Sequence, residues 1–224
     1  NPELARLERA NFRAALQWAI DNDETELGLR LVVALSHVWI SEAPFEGARW
    51  YEALLADTDD VDPALRAAAL RDYGGAVYIV GEFDRGVALF EASLALYREL
   101  GDEWGVSHLL HRFAAEATRV GDFDKARALT EEALSTAHRL GDRRGESVAL
   151  ATLADVAQHE GDVDRAIELL TESVKLAGES GFAWWQGGRL LDLAEIAGGA
   201  GRTGGAERWR LEGLAVLLPL RDRQ

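Results

Sequence analysis

Apolar residues recur at helical spacing along most of this chain. Ala126, Leu129, Ala133 and Ala137 fall on one face at steps of three and four, as do Leu150, Leu153, Ala154 and Ala157. No stretch shows a convincing strand alternation. Glycine punctuates the pattern: Gly81, Gly121, Gly161 and Gly201 are spaced by 40 residues, and so are Gly101, Gly141 and Gly181. The segments after the first set read Gly81-Glu82-Phe83-Asp84-Arg85, Gly121-Asp122-Phe123-Asp124-Lys125 and Gly161-Asp162-Val163-Asp164-Arg165. Glycine adopts the left-handed conformation that ends a helix, and Asp84, Asp124 or Asp164 is expected to accept backbone N–H bonds where the next begins. Each twenty-residue block is therefore one helix and a turn, and two helices make a unit.

Residues 28–55 read as a degenerate earlier unit, and residues 1–20 as a leading helix with Leu7, Phe12, Ala15 and Trp18 on its inner face. The prediction is an all-α chain of about eleven helices with a 40-residue period. It divides into 1–60, the leading helix and degenerate unit, and 61–224, four units closed by a capping helix.

Small residues recur where paired helices must approach: Gly74, Ala114, Ala154 and Ala194 in the first helices, Gly86, Ala126, Ala166 and Ala206 in the second, with bulky Phe90 and Leu170 between. This pattern resembles the tetratricopeptide repeat. The resemblance implies an α-solenoid, a right-handed superhelix of antiparallel helix pairs whose first helices line a concave groove. The period exceeds the family's usual 34 residues, and stretches such as Arg139-Leu140-Gly141-Asp142-Arg143-Arg144-Gly145-Glu146 hold the extra length.

A more particular likeness rests on Leu7-Glu8-Arg9-Ala10-Asn11-Phe12-Arg13-Ala14-Ala15-Leu16-Gln17-Trp18-Ala19, then Glu26-Leu27-Gly28-Leu29-Arg30-Leu31, then long repeats with an Arg98-Glu99-Leu100-Gly101-Asp102 link. It resembles the C-terminal sensor region of bacterial signal-transduction ATPases (the STAND class), transcriptional regulators of the LuxR and antibiotic-regulatory types. That resemblance implies a repeat array that receives a signal and couples it to ATPase and DNA-binding portions outside this chain. No Gly-x-x-x-x-Gly-Lys-Ser/Thr phosphate loop occurs here, so the nucleotide chemistry would lie elsewhere.

Composition narrows the function further. The 224 residues have a net charge of −15 and are 48% hydrophobic, with neither cysteine nor methionine. Such a length and apolar content support a sizeable core. The negative field disfavours direct contact with nucleic acid or anionic lipid, which needs clustered Lys and Arg. The lack of cysteine excludes disulfides, thiolate metal sites and a cysteine nucleophile. No apolar run is long enough to span a membrane and the N-terminus lacks a signal-peptide pattern, so the expected location is cytoplasmic. Without methionine the chain reads as an excerpt of a longer protein, and its Arg-over-Lys, Ala-rich composition as bacterial.

Equivalent positions on the first helices give the candidate ligand- or partner-binding residues. One column is Arg71, His111, Ala151 and Leu191, a second Gly75, Ala115, Asp155 and Glu195, and a third Tyr78, Thr118, Gln158 and Gly198. Arg119 and His159 flank the third, and Trp39 extends it into the first unit. His108 lies one turn from His111. The expected groove is basic and aromatic toward the N-terminal half and acidic toward the C-terminal half, with Gly75 and Ala115 leaving room for a ligand group. The alternative is that these are ordinary solvated helix residues. No catalytic set, metal or cofactor is expected: His108 and His111 lack a carboxylate partner on their face, and Asp155 and Glu195 have no adjacent nucleophile.

Trp184, Trp185 and Trp209 either cap the end of the array or form a partner patch with Leu214, Val216, Leu217 and Leu218, and Pro219 is expected to end the last helix. Two functions are consistent with this reading. One is a sensor that binds a small molecule or a peptide or protein segment in its groove; the other is a constitutive protein-binding scaffold.

Overall fold

The computed structural model describes residues 8–56, 58 and 60–221. Among the described residues there are eleven α-helices and no strand. They are α1 (Arg9–Asp21), α2 (Thr25–Ala34), α3 (Pro44–Leu54), α4 (Pro63–Ile79), α5 (Phe83–Leu100), α6 (Glu103–Val120), α7 (Phe123–Leu140), α8 (Arg143–His159), α9 (Val163–Glu179), α10 (Ala183–Gly199) and α11 (Thr203–Arg221). A one-turn π-helix, Val38–Glu42, separates α2 from α3. The expected solenoid of helix pairs is the architecture found. Its residues gather into two compact units, one through Leu109 and one from Leu110.

The turns are built as the glycine spacing requires. The seven glycines spaced by twenty from Gly81 to Gly201 all have positive φ, between 65° and 93°, where a Cβ would be strained. At Gly121 the reversal is closed by two bonds: Gly121 N–H donates to Thr118 C=O at 3.1 Å and Asp122 N–H to Ala117 C=O at 2.8 Å. These satisfy carbonyls that a helix end leaves open. The helix start differs from expectation. Asp122, not Asp124, accepts the Lys125 N–H, at 3.1 Å, and Asp162, not Asp164, accepts the Arg165 N–H at 3.0 Å. The capping residue must stand outside helical φ/ψ, as Asp122 does at −87°, 73°. Asp84, Asp124 and Asp164 already lie in the first helical turn, where their charge meets the positive end of the helix dipole.

In the first unit, Leu16, Leu29, Val32, Trp39, Tyr51, Leu54, Tyr73 and Val77 share one core. The inner face of α1 is carried by Leu16 and Ala19, with Phe12 beside them. Ala15 and Trp18 face solvent, because they lie about 100° from Leu16 and Ala19 on the helix, and Leu7 is outside the described residues. Arg13 clasps Glu46 with two bonds of 2.6 Å, joining α1 to α3. The α4–α5 crossing depends on Gly74: a Cβ there would come within 2.6 Å of the Phe90 ring. Ser93 Oγ donates to Ala67 C=O at 2.7 Å across the same pair.

In the second unit the buried residues at the crossings are mainly alanines, among them Ala117, Ala126, Ala154 and Ala166. Ser147 and Ser173 lock α8 to α9 reciprocally, each hydroxyl donating to the other's backbone carbonyl at 2.7–2.8 Å. Trp185, Trp209 and Val216 pack against the core formed by Leu169, Leu170, Leu190, Leu193 and Ile196. The α11 helix continues two residues past Pro219. A proline in the last turn forfeits only one helix bond, so it does not stop the helix there.

Candidate functional site

The candidate positions fall into both units with very different surroundings. In the first unit, Trp39 lies in the π-helix with 0% exposure. It belongs to the core and cannot line a groove; the π-turn rotates its ring inward. Gly75 is buried as well, and the Ile40 side chain occupies the space expected to be open to a ligand, 3.6 Å from where a Cβ would stand. Tyr78 turns toward α5, edge-on to Phe83 at 4.9 Å and over Gly86.

Arg71 is mostly buried. Its Nε donates to Asp72 Oδ1 at 2.8 Å and one terminal nitrogen to Tyr97 Oη at 3.1 Å, while its guanidinium sits 5.7 Å from the Trp104 ring centre. Burial opposes the charge, but the Asp72 carboxylate outweighs it and holds the guanidinium above its ordinary range. This arginine ties α4 to α5. His108 also stacks on the Trp104 ring, with centroids 5.2 Å apart.

In the second unit, both ring nitrogens of His111 are buried without a hydrogen-bond partner. Burial pushes its pKa down to about 4, against the pull of Asp142 and with the help of Arg112, so the ring is neutral at physiological pH. Arg119 is gripped by Glu116 through two bonds of 2.6 and 2.7 Å. His159, at the end of α8, lies flat on Phe123 at 3.5 Å, next to an exposed Gln158. Ala151 is buried, so the first expected column does not form a continuous surface.

Asp155 and Glu195 are brought into one electrostatic group, through Arg189 and Asp192 on α10. Arg189 Nε is 2.9 Å from Asp192 Oδ2, and its guanidinium covers the Trp185 ring at 4.4 Å. Asp155 is reached by solvent yet has protein on most sides. That crowding raises its pKa to about 6, with Arg189 opposing and Asp192 adding to the rise. Asp192 is raised in turn by burial and by Glu195, again with Arg189 opposing. Asp192 pairs with Arg189, while Asp155 and Glu195 act on that pair electrostatically, so the carboxylates outnumber the guanidinium. Arg189 and Asp192 were not among the expected residues. Their signal was local: they stand six and three residues before Glu195 on the same helix.

Among the described residues no three His, Asp or Glu side chains are grouped to hold a metal ion, and no helix is long and apolar enough to cross a membrane.

With this geometry in view, comparison with known proteins is informative. A family model for the tetratricopeptide repeat matches residues 65–137 and 105–179, which together cover just over half of the chain. The chain belongs to the tetratricopeptide-repeat family, and its fold is that of a protein-binding helical scaffold. Solved structures agree on the fold. BtubC (BKLC) from P. vanneervenii superposes with a TM-score of 0.68 at 17% identity, covering 98% of this chain and 90% of that one. The aspartyl phosphate phosphatase F of Bacillus subtilis gives 0.71 at 12% identity, over 91% of this chain and 55% of its own. A Podosopora anserina putative kinesin light chain with nearly identical TPR-like repeats gives 0.61 at 17% identity, over 87% and 96%. No curated protein matches the sequence.

Proposed function

We propose that this chain is the signal-receiving repeat domain of a bacterial transcriptional regulator of the signal-transduction ATPase type, and that the α8–α10 wall of its second unit takes the cationic part of a protein or peptide segment. The observation that carries the binding role is the Arg189–Asp192 pair at 2.9 Å, on which Asp155 and Glu195 add negative charge that the single guanidinium does not balance. A scaffold that only stacked helices would gain nothing from raising Asp155 this way. A ligand's guanidinium or ammonium group would offset the repulsion. The regulator role is supported by the leading helix and long-repeat pattern, and coupling requires that the bound segment favour one conformation of the array over another.

The binding role is tested by titrating the chain calorimetrically with an arginine-rich octapeptide and with its glutamate-rich counterpart, at low salt. Binding of the first alone, weakened about tenfold in an Asp192→Asn/Glu195→Gln variant, is expected. Equal binding of both peptides, or an unchanged variant, refutes the wall. The regulator role is tested by the flanking sequence of the parent protein. A phosphate-binding loop ahead of this region supports it, and its absence leaves the constitutive scaffold.

A further inference from the structure

In the second unit an arginine occupies a position at which the repeat has aliphatic residues. By the 40-residue register Arg189 corresponds to Leu109 and Ala149, both fully buried, and Trp185 to Gly105 and Gly145. Phe182 stands where Asp102 and Asp142 cap their helices by accepting the N–H groups of Gly105 and Gly145, at 2.9 and 3.0 Å, and it makes no such bond. These three departures fall within two turns at the start of α10 and build one object. The Phe182 and Trp185 rings lie nearly parallel, at 10°, which sets the indole as a plate, and the Arg189 guanidinium rests on it 4.4 Å from the ring centre.

Arg189 is held on this plate loosely. Its Nε is buried 2.9 Å from Asp192 Oδ2 yet is not aligned to hydrogen-bond with it. Arg13 and Arg71, by contrast, each spend two donors on directed bonds. A buried N–H without a partner regains one on moving into water, which lowers the cost of lifting Arg189 away. The side chain is 23% exposed, so it has a route to solvent. It would leave behind an indole face beside Asp192, with Asp155 and Glu195 adding negative charge. A planar, weakly hydrated guanidinium from another chain fits that face and can align with the carboxylates; a compact, strongly hydrated ammonium stacks poorly. We propose that Arg189 is the resident occupant of a guanidinium seat formed by Trp185 and Asp192, and that an arginine of the partner displaces it on binding. The proposal rests on the cationic-partner reading above and narrows it: the partner presents arginine, and it binds against an internal competitor.

The seat is tested without a partner. Arg189→Ala installs the residue type of Ala149, which the repeat accepts, and ethylguanidinium matches the missing end of the side chain. Ethylguanidinium is expected to raise the thermal midpoint of Arg189→Ala by about 2 °C relative to the same concentration of ethylammonium, and to leave the wild type unchanged. Displacement is tested calorimetrically with arginine and lysine octapeptides. Losing the Arg189 charge strengthens both, and release of the seat adds a further gain of about fivefold for the arginine peptide alone. Arg189→Gln, shorter and uncharged, is the second variant for this comparison. No difference between ethylguanidinium and ethylammonium, an equal gain for both peptides, or weaker binding of the arginine peptide to the variants overturns the proposal, while binding by the wild type still upholds the acidic wall. If neither the wild type nor the variants bind either peptide, the cationic-partner reading itself fails, and displacement fails with it.

Discussion

Arg71 and Asp72 are neighbours on α4, and both charges are withdrawn from water. Removing one half of a buried pair costs far more than the pair contributes, because the other charge keeps its desolvation penalty. Arg71→Ala is therefore expected to lower the unfolding free energy by about 3 kcal/mol, measured by urea denaturation. Arg71→Lys, which keeps the charge but loses the fork that reaches Asp72 and Tyr97 together, should lie between. Asp155 has the opposite character. Its folded pKa, about 6, lies above its ordinary value of 3.8, so the folded state holds the proton more tightly. The associated stability is complete below the ordinary value and is lost as pH rises through 6. Asp155→Asn should match the wild type near pH 4 and exceed it at pH 8. After solvent screening the gain should be about 1 kcal/mol or less. A variant that is less stable at pH 8 would show that the carboxylate is held by favourable contacts instead.

At the scale of the element, the turn controls the helix on both sides. Gly121 supplies a φ of 82°, and Asp122 then closes one helix through its backbone N–H and starts the next through its carboxylate. Gly121→Ala should cost about 1–2 kcal/mol through left-handed strain, and Asp122→Ala about 1 kcal/mol through the lost cap. Both are measurable as shifts in the thermal midpoint. This division of labour explains what was legible in the sequence. A positive φ admits little besides glycine, so the seven reversals and the eleven helices could be read directly. Capping distinguishes residues two positions apart, a difference that the Gly-Asp-x-Asp pattern does not display, so Asp122 and Asp162 cap where Asp124 and Asp164 are expected. The α4 members of the groove columns go elsewhere for a related reason. Helical spacing places Arg71, Gly75 and Tyr78 on neighbouring rows of α4, but side-chain length and partners decide where each one goes. Arg71 is drawn into an ion pair, Tyr78 is received by Gly86, and Gly75 is covered by Ile40. Trp39 was misplaced because the π-turn shifts its register, and no composition rule marks a five-residue π-helix. Asp155 and Glu195 are related by the 40-residue register, which the sequence displays; Arg189 and Asp192 act at shorter, within-helix range.

For the whole molecule, the repeat construction predicts how a local injury spreads. In an array of helix pairs, stability is close to a sum of unit and nearest-neighbour contributions, so damage decays along the chain instead of unfolding everything at once. Tyr51 is a suitable probe. It is fully buried, stacks on Tyr73 at 6.1 Å, and donates its hydroxyl to Val32 C=O at 3.1 Å, joining α2 to α3 where no glycine-aspartate turn is available. Tyr51→Phe keeps the ring and its packing but removes that bond, at a cost of about 1 kcal/mol. The seven regular turns and the Ser147–Ser173 lock are left intact. Hydrogen exchange should therefore quicken in α2, α3 and α4, while amides in α8 and α9 keep their protection. Equal acceleration from α2 to α9 would mean that the chain opens as one cooperative body, and the additive account of its helix pairs would have to be replaced.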